Sequence, residues 1–301
     1  MPRTLYAHLA LSAVALIYGA NYIIAKSVMP NPIGPNSFIA LRVFGATLSF
    51  WLVAFRKITI PANEDFMRLF LCALTGVAIN QLLFFNGLAL TSPLNSSIIM
   101  TSNPILVMLI SAWFFRQRLQ PKKIVGLLLG ATGAISLLLL SAADHTEFSN
   151  PLGDLCILIN SLSYAFYLVL VKPLMQKYSA LTVITWIFSI GMILVLPFGG
   201  WSAALIPWSD LTGFQWFSVF YVIAFVTFLT YLLNILALQY ITPTTASAYI
   251  YFQPLLALLF SLLFTHFTNT NYIADLTWSK VICALCIFVG VYLTISTDKK
   301  T

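Results

Sequence analysis

Charge is what this chain has least of. Only 8% of its residues are Asp, Glu, Lys or Arg, against roughly a quarter in soluble globular domains, while 60% are hydrophobic. A water-soluble fold could not cover that much apolar surface, which excludes a soluble enzyme or binding module. Sustained apolar/polar alternation is also missing, so a transmembrane barrel is excluded. Histidine is down to His8, His145 and His266, all near the ends of apolar runs. Neither a metal cluster nor a Ser/His dyad can be assembled from them in a membrane interior. The eight acidic residues avoid the middle of every run, which disfavours a buried carboxylate as proton relay. Four cysteines, Cys72, Cys156, Cys283 and Cys286, lie inside the runs; the last two form a CxxC, but with no His nearby they read as small packing residues. No catalytic residue, metal ligand or cofactor is therefore expected. The net charge of +7 is spread over short loops rather than gathered on one face, so nucleic acid is not expected as a partner.

What is present is a succession of long apolar runs. Crossing the bilayer core takes roughly 20 mostly apolar residues, and lipid offers the backbone no hydrogen-bond partners, so such runs must be helices. Runs and breakers place spans near 5–26, 36–55, 66–88, 93–114 and 121–140, then 152–174, 181–200, 215–238, 244–264 and 276–296. The first run follows Arg3 and imitates a signal peptide, yet it is long, ends in Asn21 and Lys26, and nine similar runs follow. The reading is an all-α polytopic protein of ten transmembrane helices, embedded in a lipid bilayer. Basic residues in short loops mark the cytoplasmic side. Arg3, Arg56, Lys57, Arg68, Arg116, Arg118, Lys122, Lys123, Lys172, Lys177, Lys299 and Lys300 fall on one side; Asp144, Glu147, Asp154, Asp210 and Asp275 fall on the other. Both termini are predicted cytoplasmic, and a bacterial inner membrane is the expected location.

The halves resemble each other. Thr91-Ser92-Pro93 through Asn103-Pro104 matches Ile241-Thr242-Pro243 through Gln253-Pro254, with the two prolines eleven residues apart in each. Tyr18 through Lys26 matches Tyr164 through Lys172, and Lys123 and Gly133 match Lys280 and Gly290. Each copy, 1–145 and 146–301, holds five spans, an odd number, so the second enters the membrane from the opposite side. Inverted repeats can exchange two slightly different conformations and so open a central site to each side in turn.

Polar residues recur at helical spacing on eight of the spans, which marks either interhelical packing or a solvated cavity. The candidate solute-binding residues are Tyr18, Asn21 and Tyr22 in the first span, Asn80 and Phe84 in the third, Asn103 in the fourth, Tyr164 and Tyr167 in the sixth, Trp186 in the seventh, Tyr231 and Asn234 in the eighth, and Tyr251 and Gln253 in the ninth. Pro104 and Pro254 sit mid-span, where each removes a backbone donor and frees a carbonyl, making a kink and a candidate hinge. Arg42 is the deepest charge; it reads either as a side chain snorkelling to the interface or, with Lys26, as an attractor of an anionic group such as a carboxylate. The fifth and tenth spans carry almost no polar side chains, and Gly126, Gly130 and Gly133 would allow close packing there. Those two spans are expected to face lipid or the partner subunit of a homodimer.

Gly19-Ala20-Asn21 through Lys26, Arg42 in the second span, and the paired segments ending in Pro104 and Pro254 together resemble the drug/metabolite transporter superfamily, specifically the EamA type, over essentially the whole chain. The resemblance implies ten spans, an inverted repeat, a central cavity, and transport of small metabolites, with export of amino acids or related amphipathic solutes the expected activity. A lipid or lipid-linked sugar flippase of the same fold is the alternative, and a membrane-embedded enzyme a weaker one. Tyr18 stands where the family often has Trp, and Arg116-Gln117 and His266-Phe267 stand where it often has Gly-Glu. Any family role for those Glu residues therefore does not carry over.

Overall fold

The computed structural model describes residues 3–55, 57–116, 121–143, 150–268 and 277–295. Arg56, Gln117, Arg118, Asp144, His145, Glu147, Asp275, Lys299 and Lys300, singled out above, lie outside the described residues. The chain forms α1 (Arg3–Lys26), α2 (Pro35–Ala54), α3 (Asn63–Leu90), α4 (Pro93–Phe114) and α5 (Pro121–Ala143), then α6 (Pro151–Lys177), α7 (Ala180–Ala204), α8 (Gly213–Leu238), α9 (Pro243–Phe264) and α10 (Trp278–Ile295). Eight of these are long and apolar enough to cross a membrane; α5 and α10 carry shorter apolar stretches, Ile124–Gly133 and Trp278–Gly290.

The helix starts are written in the sequence. Five helices begin with proline, whose fixed φ suits the first turn and whose missing N–H costs nothing there. Ser92, Asn150, Ser179, Thr212 and Thr242 precede α4, α6, α7, α8 and α9 and accept from the exposed first-turn N–H groups.

Packing repeats with the sequence. α1 packs on α8 and α9, and its counterpart α6 packs on α3 and α4; α2 meets α7, and α5 meets α10. Exchanging the halves leaves these pairings unchanged, as a pseudo-two-fold axis between inverted repeats requires. The lysines matched in the repeat do the same job twice. Lys26 Nζ donates to the carbonyls of Leu88, Ala89 and Thr91 at 2.7, 2.8 and 2.9 Å, at the C-terminus of α3. Lys172 Nζ donates to Leu238 and Ile241 at the C-terminus of α8. A helix C-terminus has unpaired carbonyls and a partial negative charge, so an ammonium group answers both. With all three donors of Lys26 committed, it is a helix cap, and the expectation that it joins Arg42 in attracting an anionic group is corrected. Lys26→Met and Lys172→Met are each expected to cost about 1–3 kcal/mol, measured as lowered thermal midpoints in detergent with the secondary structure retained.

The glycines of α5 are spent inside the chain. A Cβ on Gly290 of α10 would lie 2.5 Å from Gly126 O and 2.6 Å from Gly130 N, so the two backbones touch. Gly133 faces Cys283 and Cys286, which therefore serve as packing residues. The close packing that these glycines allow thus joins α5 to α10 of the same chain. The opposite faces, with Leu128, Leu139, Ile282 and Leu285, are exposed and apolar.

Among the described residues four helices are interrupted, each at or beside the cavity. α4 breaks between Met100 and Asn103, and Thr101 and Ser102 bond back only three residues, to Ile98 and Ile99. α9 passes through a 3-10 stretch at Ala248–Tyr251. Both breaks fall within the turn before Pro104 and Pro254, where the ring would clash with the carbonyl four residues back. α3 and α8 carry wider π-helical turns at Leu74–Ala78 and Val222–Leu229, again matched between the halves.

Candidate functional site

Between the helices lies an open cavity, about 720 Å³ of atom-free space including the solvent at its mouth, lined by 21 residues from α1, α2, α3, α4, α6, α8 and α9. Along α1 it runs from Leu11 to Tyr22, a rise of about 16 Å. Nine of the candidate binding residues line it: Tyr18, Asn21, Tyr22, Asn80, Phe84, Tyr164, Tyr231, Asn234 and Gln253, together with Arg42.

Hydrogen bonds across the repeats set the polar wall. Tyr22 Oη donates to Gln253 Oε1 at 2.7 Å, joining α1 to α9. Tyr231 Oη lies 2.5 Å from Gln81 Nε2, 2.9 Å from Gly76 O and 3.2 Å from Asn80 Oδ1, so one hydroxyl meets a carbonyl within the π turn of α3 and two amides beside it. Such turns often mark functional sites because an extra residue re-aims side chains and leaves carbonyls to be met. In α8 the π turn has Thr227 Oγ1 donating to Val222 O at 2.7 Å while accepting from Arg42 Nε at 2.8 Å. Thr230 Oγ1 donates to Val226 O at 2.5 Å and lies 3.1 Å from Tyr18 Oη, whose proton it can accept. Two carbonyl oxygens on the lining, Asn21 Oδ1 and Asn160 Oδ1, are buried without a hydrogen-bond partner. The apolar wall is aromatic, with Tyr22 and Phe84 ring centroids 5.6 Å apart and Phe84 and Phe85 4.9 Å apart.

Arg42 does not snorkel. It is 2% exposed, and its guanidinium carbon lies 4.1 Å from the Phe85 ring centroid. Among the 21 lining residues it is the one that carries a charge.

Four candidates lie elsewhere. The amide of Asn103 turns away at the α4 break and donates to Ser161 O of α6 at 2.7 Å, which makes it interhelical packing. Tyr167 is 1% exposed and its ring fills the space over Gly76, where a Cβ would lie 2.4 Å from Cδ2. It backs the cavity wall without reaching the lumen. Trp186 belongs to an aromatic group with Trp51 and Phe66, its indole donating to Thr59 O at 3.2 Å. The polar stripe of α7 thus serves the contact with α2 and the α2–α3 loop. Tyr251 turns its ring onto Phe288 of α10, 5.7 Å between centroids. Leu11, Val14, Ala15, Phe85, Met100, Val226, Ala246 and Ile250 also line the cavity; being apolar, they give no signal among polar stripes.

The two ends of the cavity differ. Past Tyr22 the helices are packed solid: every residue of Pro93–Met100 is buried. Their repeat equivalents at the other end are looser, with Thr242 and Thr245 exposed and Thr244, Ala248 and Tyr249 half-buried. Of the apolar stretch of α4, 72% is buried, against 28% of that of α9.

Ten helices in inverted halves around a polar cavity sealed at one end have the architecture of a membrane carrier. The chain belongs to the EamA-like transporter family, whose model matches it twice, over residues 5–139 and 151–296. It is 25% identical to the uncharacterized transporter YetK of Bacillus subtilis, over 73% of this chain and 68% of that one. An uncharacterized transporter of Archaeoglobus fulgidus is 24% identical over 95% and 96% of the two chains, and a WAT1-related protein of Arabidopsis thaliana 29% identical over 54% and 47%. A solved crystal structure covers 98% of this chain and 99% of its own with a TM-score of 0.65 at 16% identity, a likeness of fold alone.

Proposed function

We propose that this protein carries small amphipathic solutes, amino acids or related metabolites, across a bacterial inner membrane by alternating access through the central cavity. Both termini are cytoplasmic in this reading, as the distribution of basic residues favours, and export is the expected direction. The observation that carries the proposal is the unequal burial of equivalent segments. Pro93–Met100 seals one end, while the matching stretch from Pro243 leaves the other loose. If the two repeats exchange these conformations, the seal moves to the other side and the cavity opens where it is now shut. The breaks before Pro104 and Pro254 are the natural hinges for that exchange. Three donors or acceptors on the lining without partners, beside an aromatic wall, suit a solute with both polar groups and an apolar body.

The test pairs access with flux in proteoliposomes, using protein free of its native cysteines. Thr245→Cys is expected to react with a membrane-impermeant thiol reagent. Ser96→Cys, at a fully buried position, should resist it until amino-acid flux is under way and then react. Flux with Ser96→Cys permanently protected would sink alternation through this end, and no flux of any amino acid or related metabolite would sink the carrier reading itself.

A further inference from the structure

We infer that the solute bound in this cavity carries a carboxylate and that Arg42 is the group that holds it. The inference rests on the cavity being a solute site and names the chemistry that site selects. Arg42 stands seven residues into α2 from Pro35, about 10 Å along the helix, and is 2% exposed. Nε is committed to Thr227 Oγ1 at 2.8 Å, and one face of the guanidinium lies over Phe85. Nη1 is buried and has no hydrogen-bond partner. None of the 21 lining residues is Asp, Glu or Lys.

A guanidinium cannot shed its proton under ordinary conditions, so the cation persists and must be balanced. A buried, unbalanced charge within a membrane is costly and marks a ligand pathway or a counter-ion site. Thr227 and Phe85 hold the group in one orientation on the cavity lining, and a planar fork fits a planar carboxylate better than a point charge does. One fixed positive charge matches one negative charge; a phosphate monoester, carrying close to two, would leave the excess unmet. An ammonium-bearing solute with no acid group would meet like charge. The unpartnered Asn21 Oδ1 and Asn160 Oδ1 on the same lining are acceptors for N–H or O–H groups elsewhere on the solute, and the rings of Tyr22, Phe84 and Tyr164 take its apolar part.

Five phenyl-bearing probes separate the possibilities: 3-phenylpropanoate, phenylalanine, phenylalanine amide, phenylethylamine and phenyl phosphate. Binding to purified protein is read by calorimetry and flux in proteoliposomes. The two carboxylates are expected to bind at least about tenfold more tightly than the amide, the amine and the phosphate, and to cross. Arg42→Gln should abolish that preference, and Arg42→Lys should restore part of it. The ranking of probes on the unmodified protein stands as the test even if a variant fails to fold. Equal binding of amide or amine overturns the carboxylate assignment while leaving the cavity as a solute site; tighter binding of the phosphate overturns it in favour of a dianion. Failure of all five to bind and cross overturns both the assignment and the solute-site reading beneath it.

Discussion

Gly199→Ala is expected to destabilise the protein by about 3 kcal/mol or more, near or beyond the upper end of what overpacking costs. Gly199 on α7 lies directly under the first turn of α2, and a Cβ there would sit 2.0 Å from the carbonyl oxygen of Asn36 and 2.4 Å from its carbonyl carbon. A flexible side chain could swing aside, but a backbone carbonyl in a helical turn cannot. Relief would require α2 and α7 to separate, and that would strain the Ser37–Ser202 hydrogen bond of 2.8 Å and the bond of 2.8 Å from Asn86 Nδ2 to Asn36 Oδ1. Arg42 rides on the same helix, so the shift would carry into the cavity. Gly213→Ala is the matched control. No atom lies within 4 Å of its Cβ position, and a change within about 0.5 kcal/mol is expected. Thermal unfolding of both variants in detergent decides the matter; equal midpoints would mean that α2 and α7 can part without loss.

What could be read from the sequence and what could not divides along a physical line. Periodicity and length locate a helix and its polar face but do not say which neighbour that face meets. Thr185, Trp186 and Ser189 on α7 make a stripe as regular as Asn160, Ser163 and Tyr164 on α6. Yet the first faces α2, where Trp51 Nε1 donates to Ser189 Oγ at 2.9 Å, and the second supplies Asn160 and Tyr164 to the lumen. Pro104 announced a break but not the rotation it imposes, which is why the Asn103 amide meets Ser161 while the equivalent Gln253 meets Tyr22. The π turns of α3 and α8 left no mark in composition; they are known from backbone register alone, and they carry Thr227 and the Gly76 carbonyl that organise the wall. The role of Lys26 is written in the repeat itself. Its match to Lys172 pairs two positions that each follow a long apolar run and precede a short joint, where a cap for a neighbouring helix end is needed.

Asp154→Ala is expected to loosen the sealed end and to raise the labelling rate of Ser96→Cys at least about tenfold. Asp154, in the first turn of α6, is fully buried; its carboxylate accepts from Thr91 Oγ1 at 2.5 Å and from Asn95 Nδ2 at 3.3 Å. The carbonyl of the same Thr91 accepts from Lys26 at 2.9 Å. One chain of bonds thereby ties the end of α1, the α3–α4 joint and the start of α6. In the other repeat Asp154 corresponds to His8 and Asn95 to Thr245. His8 bonds Tyr249 Oη at 2.6 Å instead, and Thr245 is exposed. Among the described residues the Thr91–Asp154–Asn95 bonds therefore have no equivalent in the second repeat. Removing the carboxylate takes one buried acceptor from the Thr91 hydroxyl and from the Asn95 amide, at about 1–3 kcal/mol each. If those bonds form only while this end is shut, the loss falls on the shut state, and each 1.4 kcal/mol shifts the balance about tenfold toward opening. Asp154→Asn keeps one acceptor oxygen and should fall between. A drop in thermal midpoint with Ser96→Cys still protected would mean that the bonds persist in both states, making Asp154 an anchor of the fold and not of its conformational balance.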